Sequence, residues 1–285
     1  MTRILLLGSE GQIGHGVKFV LNKHKIDFHP FDLKISEGHD LRIQNNKILE
    51  TAFQKSTHVI ILAYDVGGSK YLKQHENSYD FINNNIRIMS NVFSLLKQYS
   101  LPFIFASSQM SNMNFSTYGL LKAVGERYAA SLGGVSVKFW NVYGEEQHEE
   151  KNHVITDFIE SALKFNRIIC KTDGNEKRQF LHANDAGEAI LRILPQDRVP
   201  GKTNYDLTSF QETSIREIAV IVKEILKSEF NREITLEFGE DKDNVQRDQR
   251  NEPSREILNL WKPAIDLETG ILELIKSRVE ELNDR

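Results

Sequence analysis

A single cysteine, Cys170, stands in a chain of 285 residues, so no disulfide can form within it and its lone thiol suits a reducing cytoplasm. Beside Ile168 and Ile169 it reads as a small buried hydrophobe. Positive charge is not in excess either: 36 Lys and Arg face 40 Asp and Glu, a net charge of −4, which gives no field for binding nucleic acid. No apolar run approaches the roughly 18 residues of a membrane span, and there is no internal repeat, low-complexity tract or flexible linker. A strand pattern begins already at Arg3, leaving no room for a signal peptide ahead of the fold. A cytoplasmic protein is expected. The nine histidines offer no metal motif: His148 and His153 are five positions apart, which separates them on a helix, the HExxH spacing is missing, and one cysteine builds no thiolate site. No metal is expected.

What the sequence does contain starts near its beginning. With 40% hydrophobic residues the chain can bury one large domain or two intimate ones. The run Leu5, Leu6, Leu7 meets Gly8, Gly11 and Gly14 and then turns amphipathic, with Ile13, Val17, Val20 and Leu21 on one side and His15, Lys18, Asn22 and Lys23 on the other. That is the pattern of a strand, a turn and a helix. Gly8 permits the tight turn, Gly11 lets backbone N–H groups approach a pyrophosphate, and Gly14 lets helix and strand pack closely. The helix N-terminus adds partial positive charge. The next apolar segment, 26–31, ends in Asp32, 18 residues beyond Gly14, near where a dinucleotide-binding fold keeps the carboxylate for the adenosine ribose. Asp32 repels a 2′-phosphate, so NAD is expected over NADP, with Lys34 softening that repulsion.

Strand patterns at 3–7, 26–31, 58–63, 102–106 and 135–139 alternate with helical periodicity, which predicts a parallel doubly wound α/β sheet. Val59, Ile60, Ile61 and Leu62 are apolar without alternation, as a strand covered on both faces requires. A helix predicted over 79–99 carries Asn83, Asn84, Asn85 and Asn91 in its interior, unusual for a poor helix former; a polar ligand near Asn85 would account for one of them. After Asn141 the pattern is less regular, with helices predicted at 154–165, 184–194 and 213–227 and short strands at 168–171, 204–207 and 234–238. The expected division is a cofactor domain over 1–165, with a return of about 178–203, and a smaller interleaved substrate domain over 166–285. Residues 240–252 are charged and loop-like and lead into Pro253.

The strand at 103–106 ends in Ser107 and Ser108, and a helix begins near Tyr118, which lies four positions before Lys122. That spacing puts phenol and ammonium on one helical face, where the ammonium lowers the tyrosine pKa toward neutrality. Ligands of open α/β sheets bind beyond the carboxyl ends of the strands, so these groups suit hydroxyl-to-carbonyl redox chemistry.

With these residues in place, the chain resembles the extended short-chain dehydrogenase/reductase family, the NAD-dependent epimerases and dehydratases of nucleotide sugars, over nearly its whole length. GSEGQIG resembles the family's glycine motif, Asp40 and Leu41 its adenine-binding turn, Leu62 and Ala63 the end of its third strand, and Asn85 and Asn91 its spaced asparagines. Ser108, Tyr118 and Lys122 resemble its catalytic triad, with Ser107 a neighbouring candidate. WNVYG around Asn141, the run from Arg178 to Asp185, and Trp261, Lys262, Pro263 with the stretch 267–270 resemble three later motifs. The resemblance implies a Rossmann-type fold binding NAD through Gly8, Gly11, Gln12, Ile13, Gly14, Asp32, Asp40, Leu41, Leu62, Ala63, Asn85, Ser107, Tyr118 and Lys122. It implies Tyr118 as general base, Lys122 on the nicotinamide ribose, Ser108 on the reacting oxygen, and Ser108, Asn141, Arg178 and Arg247 toward the nucleotide-sugar substrate. It also implies a homodimer formed through the helices from Tyr79 and Tyr118.

Departures from the family pattern narrow the chemistry. Nine residues separate Ser108 from Tyr118, where the family usually has a longer loop with a VYG segment. Two positions past Ser108, where dehydrating and decarboxylating relatives have an acid and fucose-type epimerases a cysteine, stands Met110, which moves no proton. Lys138 replaces the arginine of many relatives, and Asp65, Val66, Gly67 and Gly68 resemble the same loop in enzymes of GDP-linked sugars. The expected activity is a nucleotide-sugar epimerase or 4-dehydrogenase of cell-surface glycan synthesis. A nucleotide-4-keto-sugar reductase, or a catalytically weak NAD-binding structural or sensing protein, are the alternatives.

Overall fold

Successive side chains of β1 (Arg3–Leu7) enter two different cores: Leu5 and Leu7 pack on one side of the sheet, Ile4 and Leu6 on the other. This follows from the period of two along a strand and explains why the buried strands lack polar alternation. The computed structural model describes residues 2–146, 152–195, 203–241 and 252–283. After β1 come β2 (Asp27–Phe31), β3 (His58–Ile61), β4 (Phe103–Ser108) and β5 (Val135–Phe139), then β6 (Asn141–Tyr143), β7 (Arg167–Thr172), β8 (Lys177–His182), β9 (Thr203–Leu207), β10 (Glu212–Ser214) and β11 (Thr235–Asp241). The large sheet has six strands in the order β2-β1-β3-β4-β5-β9, each pair parallel. The order reverses beside β1, which is the switch point where α/β sheets open a crevice.

Helices α1 (Gln12–Lys23), α2 (Lys47–Gln54), α3 (Ser69–His75), α4 (Tyr79–Tyr99) and α5 (Thr117–Ser131) join the first strands, and α6 (Val154–Phe165), α7 (Ala183–Ile193), α8 (Ile215–Phe230) and α9 (Leu267–Asn283) follow. Side chains of α2 and α4, including Leu49, Phe53, Met89 and Phe93, cover one face of the sheet. On the other face, α1 and α7 are packed backbone to backbone, since a methyl group on Gly16 would run into the Ala183 carbonyl and one on Gly187 would lie 2.6 Å from the Gly16 carbonyl. No helix among the described residues is long and apolar enough to cross a membrane.

A third core gathers α6, α8 and α9 around Ile168, Cys170 and Phe180. Two small sheets belong to this part of the chain: β8 lies between antiparallel β10 and parallel β6, and β7 pairs with parallel β11. Packing therefore does not follow a cut at residue 165. Helix α6 joins the third core, whereas β9, from the later half, closes the edge of the large sheet beside β5. Sequence periodicity does not reveal β6, β8 or α9. Three residues are too short to show a pattern, and Arg178 and Gln179 interrupt the apolar signature of β8 although both are buried.

Candidate active site

One cleft of about 1420 Å³ opens over the carboxyl ends of the sheet strands, with Asp32 and Arg178 among its lining residues. Its floor begins at the glycine turn. Gly8 has φ +88°, and a Cβ there would sit 2.5 Å from the Ala63 nitrogen; only glycine meets both demands. A Cβ on Gly14 would collide with the loop carbonyls of Gly8 and Ser9, whereas one on Gly11 would meet nothing nearer than the Gly8 oxygen at 3.6 Å. Gly11 caps α1 with no side-chain acceptor for the first-turn N–H groups, and Gly11, Gln12, Ile13 and Gly14 all line the cleft. An uncapped helix N-terminus facing open space fits the pyrophosphate of a dinucleotide.

The far end of β2 completes that cradle. Asp32 accepts hydrogen bonds from the backbone N–H of Glu10 (3.0 Å) and of Lys34 (2.9 Å), which fixes the carboxylate at the rim. The Lys34 ammonium turns onto the Glu10 carbonyl at 2.9 Å. Arg42 grips Asp40 through bonds of 2.8–3.1 Å and holds its carboxyl below the usual range. Asn91 donates to the carbonyls of Leu41 (2.8 Å) and Ile43 (3.2 Å) and so shapes this turn from α4.

Asn85, near which the sequence suggests a polar ligand, is not among the residues that line the cleft. It is wholly buried, and its amide accepts from the Asp65 N–H (2.7 Å) and donates to the carbonyls of Asp65 and Phe81 (3.0 Å each). It clamps the loop after β3 from behind. Its neighbour Asn84 lines the cleft instead, between Arg42 (3.3 Å) and the Asp65 carboxylate (3.0 Å). Helical spacing placed the asparagines on α4 but not the side on which the loop returns.

At the end of β4 the predicted catalytic residues come together. Ser108 caps a short 3₁₀ turn, Gln109–Asn112, by accepting from the Met110 N–H at 3.2 Å, and buried Met110 lines the cleft. Tyr118, 8% exposed, lines the cleft together with Ser108 and meets the ring of Tyr64 edge-on at 5.9 Å. Burial pushes the Tyr118 phenol up to about 12, against the opposing effect of Ser108. Lys122, 3% exposed, donates to the Ala106 carbonyl at 2.6 Å and lies 5.7 Å from the centre of the Tyr118 ring. Burial lowers its pKa to about 7, with Glu126 opposing. The expectation that Lys122 brings Tyr118 near neutrality is therefore corrected for the ligand-free protein: sharing a helical face leaves the ammonium 5.7 Å from the ring centre, and burial holds the phenol above its ordinary value.

Behind them runs a buried polar chain. Ser107 donates to Glu126 at 2.6 Å, and the Lys138 ammonium lies 3.4 Å from the same carboxylate and 3.1 Å from Asn112 Oδ1. The hydroxyl proton of Ser107 is thus directed away from the cleft, which the serine itself still lines.

Asn141, at the head of β6, and buried Arg178, on β8, line the opposite wall. Arg247 and His148 lie outside the described residues. On this wall the structure adds a pair that the search for metal motifs passes over. Glu146 accepts from the His153 N–H (3.0 Å) and from Thr156 Oγ1 (2.7 Å), and its other oxygen lies 2.5 Å from His153 Nδ1. Burial pushes the Glu146 carboxyl up, but the bonds and charge of His153 hold it below its ordinary value; burial pushes the imidazole down, and Glu146 holds it above. Both residues line the cleft, so an acid–base couple faces it. A seven-residue separation across a loop carries no periodic signal by which to find it.

Residues 4–207 match the model of the family described as the NAD dependent epimerase/dehydratase family. Over 261 residues the chain is 26% identical to GDP-L-fucose synthase 1 of Arabidopsis thaliana, spanning 79% of this chain and 78% of that one. Over 226 residues it is 30% identical to dTDP-D-glucose 4,6-dehydratase of Mus musculus, spanning 77% of this chain and 59% of the mouse protein. Among solved structures, UDP-glucose 4-epimerase of Thermus thermophilus in complex with NAD has a similar fold, with a TM-score of 0.77 at 20% identity over 96% of this chain and 98% of that one.

Proposed function

The chain belongs to the NAD-dependent epimerase/dehydratase family, and from that premise we propose that it is a nucleotide-sugar epimerase or 4-dehydrogenase acting at one sugar carbon, C4. The observation that carries this reading is the meeting of Ser108, Tyr118 and Lys122 in the same cleft as the glycine turn and Asp32. NAD, when bound, supplies the hydride acceptor; Gly8, Gly11, Gly14 and Asp32 hold its adenosine diphosphate end, and Lys122 holds its nicotinamide ribose. Tyr118 removes the hydroxyl proton at the reacting carbon while Ser108 hydrogen-bonds the same oxygen. Because burial holds the phenol up at about 12, Tyr118 becomes a base when positive charge enters the cleft beside it.

Arg178 and Asn141 take the diphosphate of the substrate, for which the forked donors of arginine are well shaped. Met110, two positions past Ser108, moves no proton, which argues against dehydration and decarboxylation. The loop of Asp65, Val66, Gly67 and Gly68 and the likeness to the Arabidopsis GDP-L-fucose synthase favour a GDP-linked sugar. On this reading the large sheet with α1 and α7 is the cofactor domain, and the third core carries the substrate domain. Exposed Leu120, Val124 and Tyr128 recur every fourth residue on α5, and Ile86 of α4 is exposed too; these side chains support a homodimer joined through the two helices. The setting is sugar synthesis for cell-surface polysaccharide in the cytoplasm.

The test is to denature the purified protein, identify any released cofactor, and incubate fresh protein with GDP-, UDP-, dTDP- and CDP-sugars while following nicotinamide absorbance and the sugar product. A changed sugar without net reduction identifies an epimerase, and net NADH a dehydrogenase. Turnover only of keto-sugars with reduced cofactor identifies a reductase instead. A protein that neither releases nor binds NAD overturns the reading.

A further inference from the structure

The nearest ring to the Lys122 ammonium is neither on its own helix nor on the strand below it. Lys122 Nζ stands 3.7 Å from the centre of the Tyr64 ring, against 5.2 Å for Phe105 and 5.7 Å for Tyr118. Tyr64 follows β3 and lines the cleft. Its hydroxyl reaches Met89 Sδ at 3.9 Å, and its ring is edge-on to Tyr118, so the ring is held at its tip and across its plane. The groups around the ammonium are then Tyr64 from the β3 loop, the Ala106 carbonyl and Phe105 from β4, Tyr118 and Glu126 from α5, and Lys138 of β5 behind Glu126. An ammonium has three donors. One goes to Ala106, and the electron-rich face of Tyr64 supplies the next favourable contact.

We propose that Tyr64 is a positioning residue for Lys122: its ring face, with the Ala106 carbonyl, holds the ammonium on the cleft floor in front of Tyr118 and keeps it charged. The proposal rests on the reading of Lys122 and Tyr118 as the reacting pair. Burial drives this lysine toward its neutral form, so its charge near neutral pH depends on what faces it. An aromatic face stabilises a desolvated ammonium enough to change its acid dissociation constant by about two- to thirtyfold. Glu126 acts in the same direction by charge and Lys138 against it, and neither is altered by a change at Tyr64. Tyr64→Phe keeps the face and loses only the contact with Met89, whereas Tyr64→Leu keeps apolar bulk and loses the face.

The experiment follows the side-chain nitrogen of Lys122 by NMR across pH in lysine-labelled protein without added ligand, with the resonance assigned from Lys122→Met. Tyr64→Phe is expected to titrate as the parent does, and Tyr64→Leu at a pH lower by the factor above. The alkaline limb of kcat/KM moves with it, because activity is lost as Lys122 gives up its proton. Tyr64→Met serves where the leucine variant fails to fold. Equal midpoints in Tyr64→Phe and the leucine or methionine variant overturn the proposal. The titration needs no substrate, so a parent protein inactive on every sugar sinks the functional reading alone, while unchanged midpoints in an active enzyme sink this proposal alone.

Discussion

Ser107 donates its hydroxyl proton to Glu126 at 2.6 Å, so adjacent serines at the end of β4 have different partners: Ser107 a buried carboxylate, Ser108 the Met110 N–H of the turn that lines the cleft. Glu126 also pairs with Lys138, and both are under 9% exposed. Removing one partner of a buried pair leaves the other charge uncompensated. Glu126→Ala is therefore expected to destabilise the fold by about 3 kcal/mol, measured by urea denaturation, and Glu126→Gln by less because it still accepts from Ser107.

Tyr118→Phe removes the proposed base without disturbing its packing against Tyr64. Turnover is expected to fall about a thousandfold, with NAD affinity and melting temperature close to the parent's. Unaltered turnover on the parent's substrate would exclude Tyr118 as the base.

Asp32 braces the glycine loop through Glu10 N–H and presents negative charge at the rim. Asp32→Asn keeps an acceptor for that bond but removes the charge. It is expected to weaken NAD binding by about ten- to a hundredfold and to narrow the discrimination against NADP, both read by calorimetry. Unchanged affinity for both would place the adenosine ribose elsewhere.

The Glu146–His153 pair makes stability depend on pH in a defined direction. The His153 pKa is raised in the folded state, so its contribution is present below its ordinary value of 6.5 and is lost as pH rises through the folded value. The Glu146 pKa is lowered, so its contribution is present above 4.5 and is lost as pH falls through the folded value. The melting-temperature difference between parent and His153→Gln is expected to be largest between about pH 4.5 and 6.5 and to shrink on either side. A difference that is flat with pH would mean the ring acts by packing alone.

On α5, Leu120 and Val124 are 50% and 47% exposed, one turn apart. Val124→Glu puts a charge in the centre of the proposed helical interface and is expected to convert a dimer to a monomer in light scattering, with the fold unchanged in circular dichroism. A parent already monomeric at micromolar concentration would remove the interface.

Where one physical signal dominates, the sequence is a good guide. Strands 3–7 and 135–139 and helices 79–99 and 154–165 have the bounds that periodicity gives, because each buries an apolar stripe that runs its whole length. β4 runs two residues beyond the predicted 106, to Ser108, since serines that bond downward into the protein read as loop in a linear string. Tyr118 and Lys122 were legible as neighbours on a helix, yet Tyr64, which approaches Lys122 more closely than Tyr118 does, was not, because it comes from a loop 58 positions earlier. The place of Asn85 is hidden for the same reason: its partner is a returning backbone, and spacing along one helix carries no information about that.

The close seating of α7 on α1 also constrains the order in which the protein can be made. Ile4, Leu6, Val17 and Leu21 are covered by residues 181–193 and by Leu207, which leave the ribosome long after the first strand. Until then the emerging chain carries a bare apolar face, and the sheet has an open edge at β5. Stalled chains ending at residue 165 are expected to bind a chaperone and yield to protease, while chains long enough to free residue 207 from the exit tunnel resist it. Synthesis of this enzyme therefore includes an interval in which that face is uncovered, set by the distance in sequence between two helices that touch.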